Sequence, residues 1–94
     1  MDNLLSDNIK EELVEIFKKR FNIDFSMHDK DYYSKNLLGK ELKLSSRDLL
    51  YIFFDVKNRF NITIPQEDIA NGKFITFGGI FDVVESQVKL KNIS

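Results

Sequence analysis

Three stretches of the chain carry apolar residues at the spacing of an α-helix, and the middle stretch is the most apolar. Its core positions recur every three or four residues and therefore share one helix face. They are Leu49, Ile52, Phe53, Val56 and Phe60. Leu50 and Phe54 widen this stripe, which is typical of a helix at the centre of a small bundle. The pattern predicts a helix from Ser46 to Phe60.

Polar residues define both ends of this central helix. Ser45 and Asp48 stand three apart, as in a capping box with aspartate in place of the usual Glu or Gln. A serine hydroxyl in that position accepts from an unpaired N–H of the first turn. With Ser45 as the cap, Ser46 becomes the first helical residue and its hydroxyl is free to point outward. Asn61 is predicted to cap the other end, because asparagine tolerates the left-handed conformation.

A first long helix is predicted from Asp7 to Arg20 or Phe21, with Ser6 as its N-cap after a loose lead-in at residues 1–5. Its acidic residues fall in the first turns and its basic residues near the end, where the helix dipole favours each charge. The apolar stripe of this helix consists of Ile9, Leu13, Ile16, Phe17 and Phe21.

The last helix is predicted to begin after Thr76 as N-cap and to end near Val88 or Leu90, with residues 91–94 frayed. Its apolar stripe consists of Phe77, Ile80, Phe81, Val84 and Val88. Gly78 and Gly79 fall in its first turn, where they would let another backbone approach closely. Before it, residues 66–71 predict a short third helix that Gly72 ends, with Ile69 facing inward.

The segment from Asn22 to Glu41 is long for an unstructured connection, so we expect it to contain a helical turn, with residues 29–34 as the candidate. Asp29 and Asp31 resemble the start of a calcium loop. Tyr33, however, occupies a ligand position and the glycine of the sharp turn is missing, so a solvated loop is favoured over a metal site. His28 has no partner at ligand or triad spacing and is assigned a surface or loop-packing role.

Together these elements predict an all-α fold, a single domain over residues 1–94 with its core at about 7–88. The expected architecture is a small four-helix bundle with three longer helices, a short third helix and a long first loop. Most phenylalanines fall at helical spacing and are interpreted as core. The alternative, a slot between helices for an acyl or peptidyl chain, stays open.

Composition excludes several classes of function. The chain has 94 residues and no cysteine, which excludes disulfides, thiolate metal sites and a cysteine nucleophile. A net charge of −1 disfavours a nucleic-acid binder, which would carry a basic patch. No apolar run is long enough to span a membrane and no secretory signal is visible, so we expect a cytoplasmic monomer. One histidine and no glycine-rich phosphate loop also argue against an enzyme.

The spacing around the central helix resembles that of carrier proteins for acyl, aminoacyl or peptidyl groups. That family has a leucine, two variable positions, Asp-Ser, an apolar helix ending in Phe, and an apolar-x-apolar-Pro turn. Leu42, Ser46, Phe60, Ile64 and Pro65 occupy the matching positions. The resemblance extends from about residue 9 to residue 88. The sequence at residues 72–80, Gly-Lys-Phe-Ile-Thr-Phe-Gly-Gly-Ile, is similar to carrier-related proteins of bacterial peptide-maturation systems.

The resemblance implies a bundle of the acyl-carrier-protein type and a 4′-phosphopantetheine arm on Ser46, whose thiol holds cargo as a thioester. It implies two partners, a phosphopantetheinyl transferase and a dedicated enzyme that loads or uses the cargo, and no catalysis by the chain itself. We expect these partners to read a recognition face. Its members are Arg47, Leu50, Tyr51 and Phe54 on the central helix and Ile69 on the third.

Two departures from the family pattern leave a second interpretation open. Ser45 stands where the family usually has aspartate, and Arg47 stands where an apolar residue usually follows the modified serine. Both positions lie on the surface that the transferase would read. The second interpretation is a carrier-like interaction module that keeps the bundle, is not phosphopantetheinylated, and serves as a binding partner in a biosynthetic or peptide-maturation system.

Overall fold

The computed structural model describes residues 2–27 and 30–93, and within them it contains helices and no β-strand. The helices are α1 (Asp2–Phe21), α2 (Lys30–Tyr33), α3 (Ser46–Phe60), α4 (Gln66–Ala70) and α5 (Phe77–Ile93). Two short 3-10 turns occupy Phe25–Met27 and Lys73–Ile75. The predicted all-α class is therefore confirmed. None of the described helices is both long and apolar enough to cross a membrane.

The three long helices surround one apolar core. α1 contacts both α3 and α5, and α3 contacts α5. The side chains with no or almost no exposed surface on these helices are Leu13, Phe17, Ile52, Val56, Phe77, Ile80 and Val84. All of them belong to the stripes that the sequence predicts, because the apolar face of each helix is the face that burial removes from water. Among the described residues, no polar or charged side chain is buried with them.

The long connection between α1 and α3 is packed against the bundle. Phe25 is fully buried, and its ring stacks on that of Phe77 at a centroid distance of 4.3 Å. The backbone N–H of Leu37 donates to the carbonyl of Ile75 at 2.7 Å, and that of Leu44 donates to the carbonyl of Leu37 at 2.9 Å. The predicted helical turn is confirmed as α2, whereas residues 28 and 29 lie outside the described part.

Two predicted helix ends are wrong. α1 begins at Asp2, so residues 2–5 are helical, and Ser6 is not its N-cap because a cap residue has non-helical backbone. Residues 2–6 contain no proline or glycine that would stop the helix earlier. α5 continues to Ile93 instead of fraying from residue 91. The Lys91 ammonium donates to the carbonyl of Phe60, which ties the end of α5 to the end of α3.

The start of α5 requires a glycine. The Gly79 N–H donates to the Thr76 hydroxyl at 2.9 Å, which confirms Thr76 as the N-cap. A Cβ atom at Gly79 would lie 1.8 Å from the carbonyl oxygen of Lys73, far inside the van der Waals limit. At the neighbouring Gly78, a Cβ would lie 3.5 Å from the carbonyl of Tyr33, which is an ordinary contact. The two adjacent glycines therefore have different roles.

We predict that Gly79→Ala destabilises the protein by about 1–3 kcal/mol or more, because the Lys73 backbone must move to admit the methyl group. Gly78→Ala is the matched control. It adds a methyl group without a clash and gains up to about 1 kcal/mol of helix propensity, so it should be neutral or stabilising. Urea unfolding followed by circular dichroism measures both. Equal stabilities of the two variants would contradict the close approach at Gly79.

Candidate functional site

A capping box fixes the beginning of α3. Ser45 has extended backbone, with φ −102° and ψ 170°. Its hydroxyl accepts from the Asp48 N–H at 3.2 Å, and the Asp48 carboxylate accepts from the Ser45 N–H at 2.9 Å. At the other end, Asn61 adopts the left-handed conformation, and its N–H donates to the carbonyl of Lys57. Both predicted caps are confirmed.

Ser46 is the first residue of α3 and is exposed to solvent. Ser45 accepts from the N–H groups of Asp48 and Leu49. The Ser46 hydroxyl has no hydrogen-bond partner among the described residues, and neither do the N–H groups of Ser46 and Arg47. The hydroxyl therefore lies beside two unpaired donors at the positive end of the α3 dipole, a setting that favours a negatively charged group.

Apolar side chains continue from Ser46 along the solvent side of α3. At 100° per residue, Leu50 lies one turn beyond Ser46 and Phe54 one turn beyond Leu50. The exposed fractions are 53% for Leu50, 43% for Tyr51 and 50% for Phe54. Together with Arg47, which is also exposed, these residues form a surface that we call the α3 outer face.

The exposure of Leu50 and Phe54 decides between the two roles that the sequence allowed for them, the widened core stripe and the recognition face. α3 contacts α1 and α5, and those contacts bury the side of α3 that carries Ile52 and Val56. The opposite side, which carries Leu50 and Phe54, stays about half exposed to solvent. Apolar periodicity places residues on a helix face, but it does not reveal which of two adjacent apolar faces a neighbour covers.

Ile69 on α4 is 41% exposed, so the prediction that it faces inward is wrong. α4 buries none of its five residues, because it is a single short turn that packs mainly on the 3-10 turn after it. That turn carries the buried Phe74, whose ring centroid lies 6.0 Å from that of Phe53 on α3. α4 is thus attached to the bundle through Phe74, and Ile69 remains available to a partner.

Arg20 is a site residue that the sequence analysis missed. It lies near the end of α1, and its guanidinium forms a two-pronged ion pair with Asp55 of α3, with Nη2 2.9 Å from Oδ1. The hydrogen bonds to Asp55 raise the pKa of Arg20 above its usual value. The guanidinium also lies 5.0 Å from the centre of the Tyr51 ring. Arg20 therefore helps to position Tyr51 at the edge of the α3 outer face.

No local spacing could have revealed this contact, since Arg20 and Asp55 are 35 residues apart. A second missed contact lies within α3 itself. The ammonium of Lys57 lies 5.8 Å from the centre of the Phe53 ring. The separation of four residues is the signal that could have found it, because such residues are neighbours on a helix surface.

Within residues 2–27 and 30–93, no group of three or more His, Cys, Asp or Glu side chains could hold a metal ion. A small apolar hollow of about 220 Å³ lies between α1, α2 and α5, lined in part by Tyr33, Phe77 and Phe81. It is smaller than typical ligand pockets and no α3 residue lines it.

No protein-family model, no curated protein and no solved structure matches the chain. The interpretation of Ser46 and the α3 outer face therefore depends on the residues and contacts of this molecule.

We predict that Ser45→Ala lowers the free energy of unfolding by about 1 kcal/mol, because the Asp48 N–H loses its acceptor. Ser46→Ala should change it by less than about 0.5 kcal/mol, since the Ser46 hydroxyl makes no hydrogen bond to the described residues. The comparison is made by urea unfolding of the two variants. A larger loss for Ser46→Ala than for Ser45→Ala would show that the assigned cap is wrong.

The exposure of Phe54 gives a further prediction. Phe54→Ala should cost about 1 kcal/mol, because only half of the ring is buried on folding. Phe77→Ala is the matched comparison, and the loss of a ring that is 1% exposed should cost about 3–5 kcal/mol. Thermal unfolding followed by circular dichroism measures both changes. A cost at Phe54 similar to that at Phe77 would place Phe54 in the core.

Proposed function

We propose that the chain is an acyl, aminoacyl or peptidyl carrier protein whose 4′-phosphopantetheine arm is attached to Ser46. The observation that carries the proposal is the state of the Ser46 hydroxyl. It is exposed, free of hydrogen bonds to the described residues, and located directly after a capped helix start. Ser46 also occupies the position that matches the modified serine of carrier proteins.

The arrangement of the helices supports the same proposal. Three long helices, α1, α3 and α5, a short α4 and a long first connection occur in the order that the carrier bundle has. α2 is a single extra turn within that connection. We therefore propose a bundle of the acyl-carrier-protein type, in which α3 carries the attachment site and part of the recognition surface.

The residues around Ser46 fit the proposed group. The phosphodiester that joins the arm to the protein is an anion, and the unpaired N–H groups of Ser46 and Arg47 and the dipole of α3 favour an anion there. The Arg47 side chain adds a cation and forms no ion pair with the described residues. When bound, the arm supplies the thiol that this cysteine-free chain lacks, and cargo is held on that thiol as a thioester.

The chain itself performs no catalysis in this proposal. It provides an attachment oxygen, a setting for the phosphodiester and a surface for two partners, a phosphopantetheinyl transferase and a dedicated enzyme that loads or uses the cargo. The surface consists of the α3 outer face and Ile69. The apolar side chains of this surface are about half exposed to solvent, which suits transient docking to more than one enzyme.

A second candidate function is favoured by the residues on either side of Ser46. Ser45 and Arg47 differ from the family pattern at the surface that the transferase would read. A chain that had kept the bundle and lost the arm would act as an interaction module in a biosynthetic or peptide-maturation system. It would use the same α3 outer face, because the exposure of Leu50, Tyr51 and Phe54 does not depend on Ser46 being modified.

The test is the intact mass of the protein after incubation with coenzyme A and a broad-specificity phosphopantetheinyl transferase. We expect the wild-type chain to gain one phosphopantetheine and Ser46→Ala to gain none. Ser45→Ala is the matched control. It removes the neighbouring hydroxyl and weakens the cap, yet it should still be modified at Ser46, as peptide mapping would record.

Failure of several transferases to modify a chain that circular dichroism shows to be folded would contradict the carrier proposal. The interaction module would then be the supported function. Modification of Ser46→Ala to the same extent as wild type would place the arm elsewhere, and would also contradict the proposal.

A further inference from the structure

The anions of α3 have partners within the protein. Asp48 accepts from the backbone N–H of Ser45 in the capping box. Asp55 is paired with Arg20 through both carboxylate oxygens. The cation Arg59 faces the opposite side, where it pairs with Glu12 and Glu15 of α1. These contacts account for three of the five charged side chains of α3.

The two remaining charges are the cations Arg47 and Lys57. Both are exposed, and neither forms an ion pair with the described residues. Arg47 comes three residues before Leu50, and Lys57 comes three residues after Phe54. Residues three apart are neighbours on a helix surface, so the two cations flank the exposed apolar side chains at both ends.

Arg20 does not change this balance, because Asp55 neutralises it while it packs against Tyr51. On α4, Glu67 precedes Ile69 by two residues and therefore lies on the other side of that short helix. Asp68 is 3.7 Å from the Lys73 ammonium. Asp48 keeps its negative charge, because its partner is a neutral N–H, but the cations Arg47 and Lys57 outnumber it next to the exposed apolar residues, although the whole chain has a net charge of −1.

We propose that the α3 outer face, together with Lys57, docks onto an acidic protein surface: an apolar groove that receives Leu50 and Phe54 and is rimmed by carboxylates that meet Arg47 and Lys57. The proposal deepens the proposed function, since it names the chemistry of the partner that reads the face. Burial of the apolar centre supplies affinity, and the charged rim supplies orientation and rate of association.

Other occupants fit the same face less well. A second copy of the chain docked through this face would bring the same cations together. A polybasic membrane segment uses a cluster of about four to eight Lys or Arg residues, and a typical DNA-binding surface makes about six to ten phosphate contacts. Two cations around an apolar centre meet neither requirement. An acidic protein groove needs only the charges that are present.

The probe for this proposal is a pair of amphipathic helical peptides that share one apolar face of leucine and phenylalanine. In one peptide the flanking positions are glutamate, and in the other they are lysine. Each is titrated into isotope-labelled protein at low salt, and binding is read from amide chemical shifts. We expect the glutamate peptide to bind about tenfold more tightly, with shifts concentrated between Ser46 and Asn58.

Charge reversal tests the assignment of the cations. Arg47→Glu/Lys57→Glu should remove the preference for the glutamate peptide or invert it. Lys10→Glu/Lys40→Glu changes the net charge equally at exposed positions outside α3 and should leave the preference intact. Added salt should reduce the preference in the wild type, because exposed charges are screened.

Equal binding of the two peptides, preference for the lysine peptide, or shifts that map away from α3 would overturn the proposal. So would tighter binding of anionic vesicles or single-stranded DNA than of the glutamate peptide by the same face. The titration uses the unmodified chain, so its result is independent of whether Ser46 accepts an arm. If the peptides bind equally but Ser46 is modified, the carrier function is retained and the acidic partner is rejected. If the glutamate peptide binds preferentially but Ser46 is not modified, the interaction module is favoured.

Discussion

Two backbone hydrogen bonds in series hold the candidate site in place. The Ile75 carbonyl accepts from Leu37, and the Leu37 carbonyl accepts from Leu44. Ile75 comes just before α5, and Leu44 immediately precedes the cap Ser45. The start of α3 is therefore tied to the segment that leads into α5 through a connection that has no regular secondary structure at that point. Leu37, which takes part in both bonds, is fully buried and belongs to the core.

An aromatic cluster secures the other end of the same connection. The Phe77 ring stacks on the Phe25 ring. The centroid of the Phe17 ring lies 5.5 Å from that of Phe77 and 5.0 Å from that of Phe25. α1, the first connection and α5 thus meet at three rings. Tyr33 of α2 adds a fourth ring, 4.9 Å from that of Phe77. This packing explains why a connection of more than twenty residues can hold α3 in a definite position.

The parts of the structure that the sequence predicted well are those set by short-range physics. The capping box at Ser45, the left-handed Asn61 and the Thr76 cap each depend on residues within a few positions of one another. The buried stripes follow from helical period. Helical period left Leu50 and Phe54 between the core and the recognition face, and it could not reveal the contact of Arg20 with Tyr51. They depend on which helix faces have neighbours, and that is a property of the whole arrangement.

The core formed by the described residues contains no buried polar or charged side chain. Apolar attraction itself has little directional preference, so such a core selects one alignment of the helices through the shape fit of its side chains and without buried hydrogen bonds. Directional contacts at the periphery, such as the Ser45 box and the Lys91–Phe60 link, and the close approach of Gly79 to Lys73 add to that selection. In this molecule the fit of the buried rings and the directional bonds at the surface therefore act together to favour the native alignment of the helices.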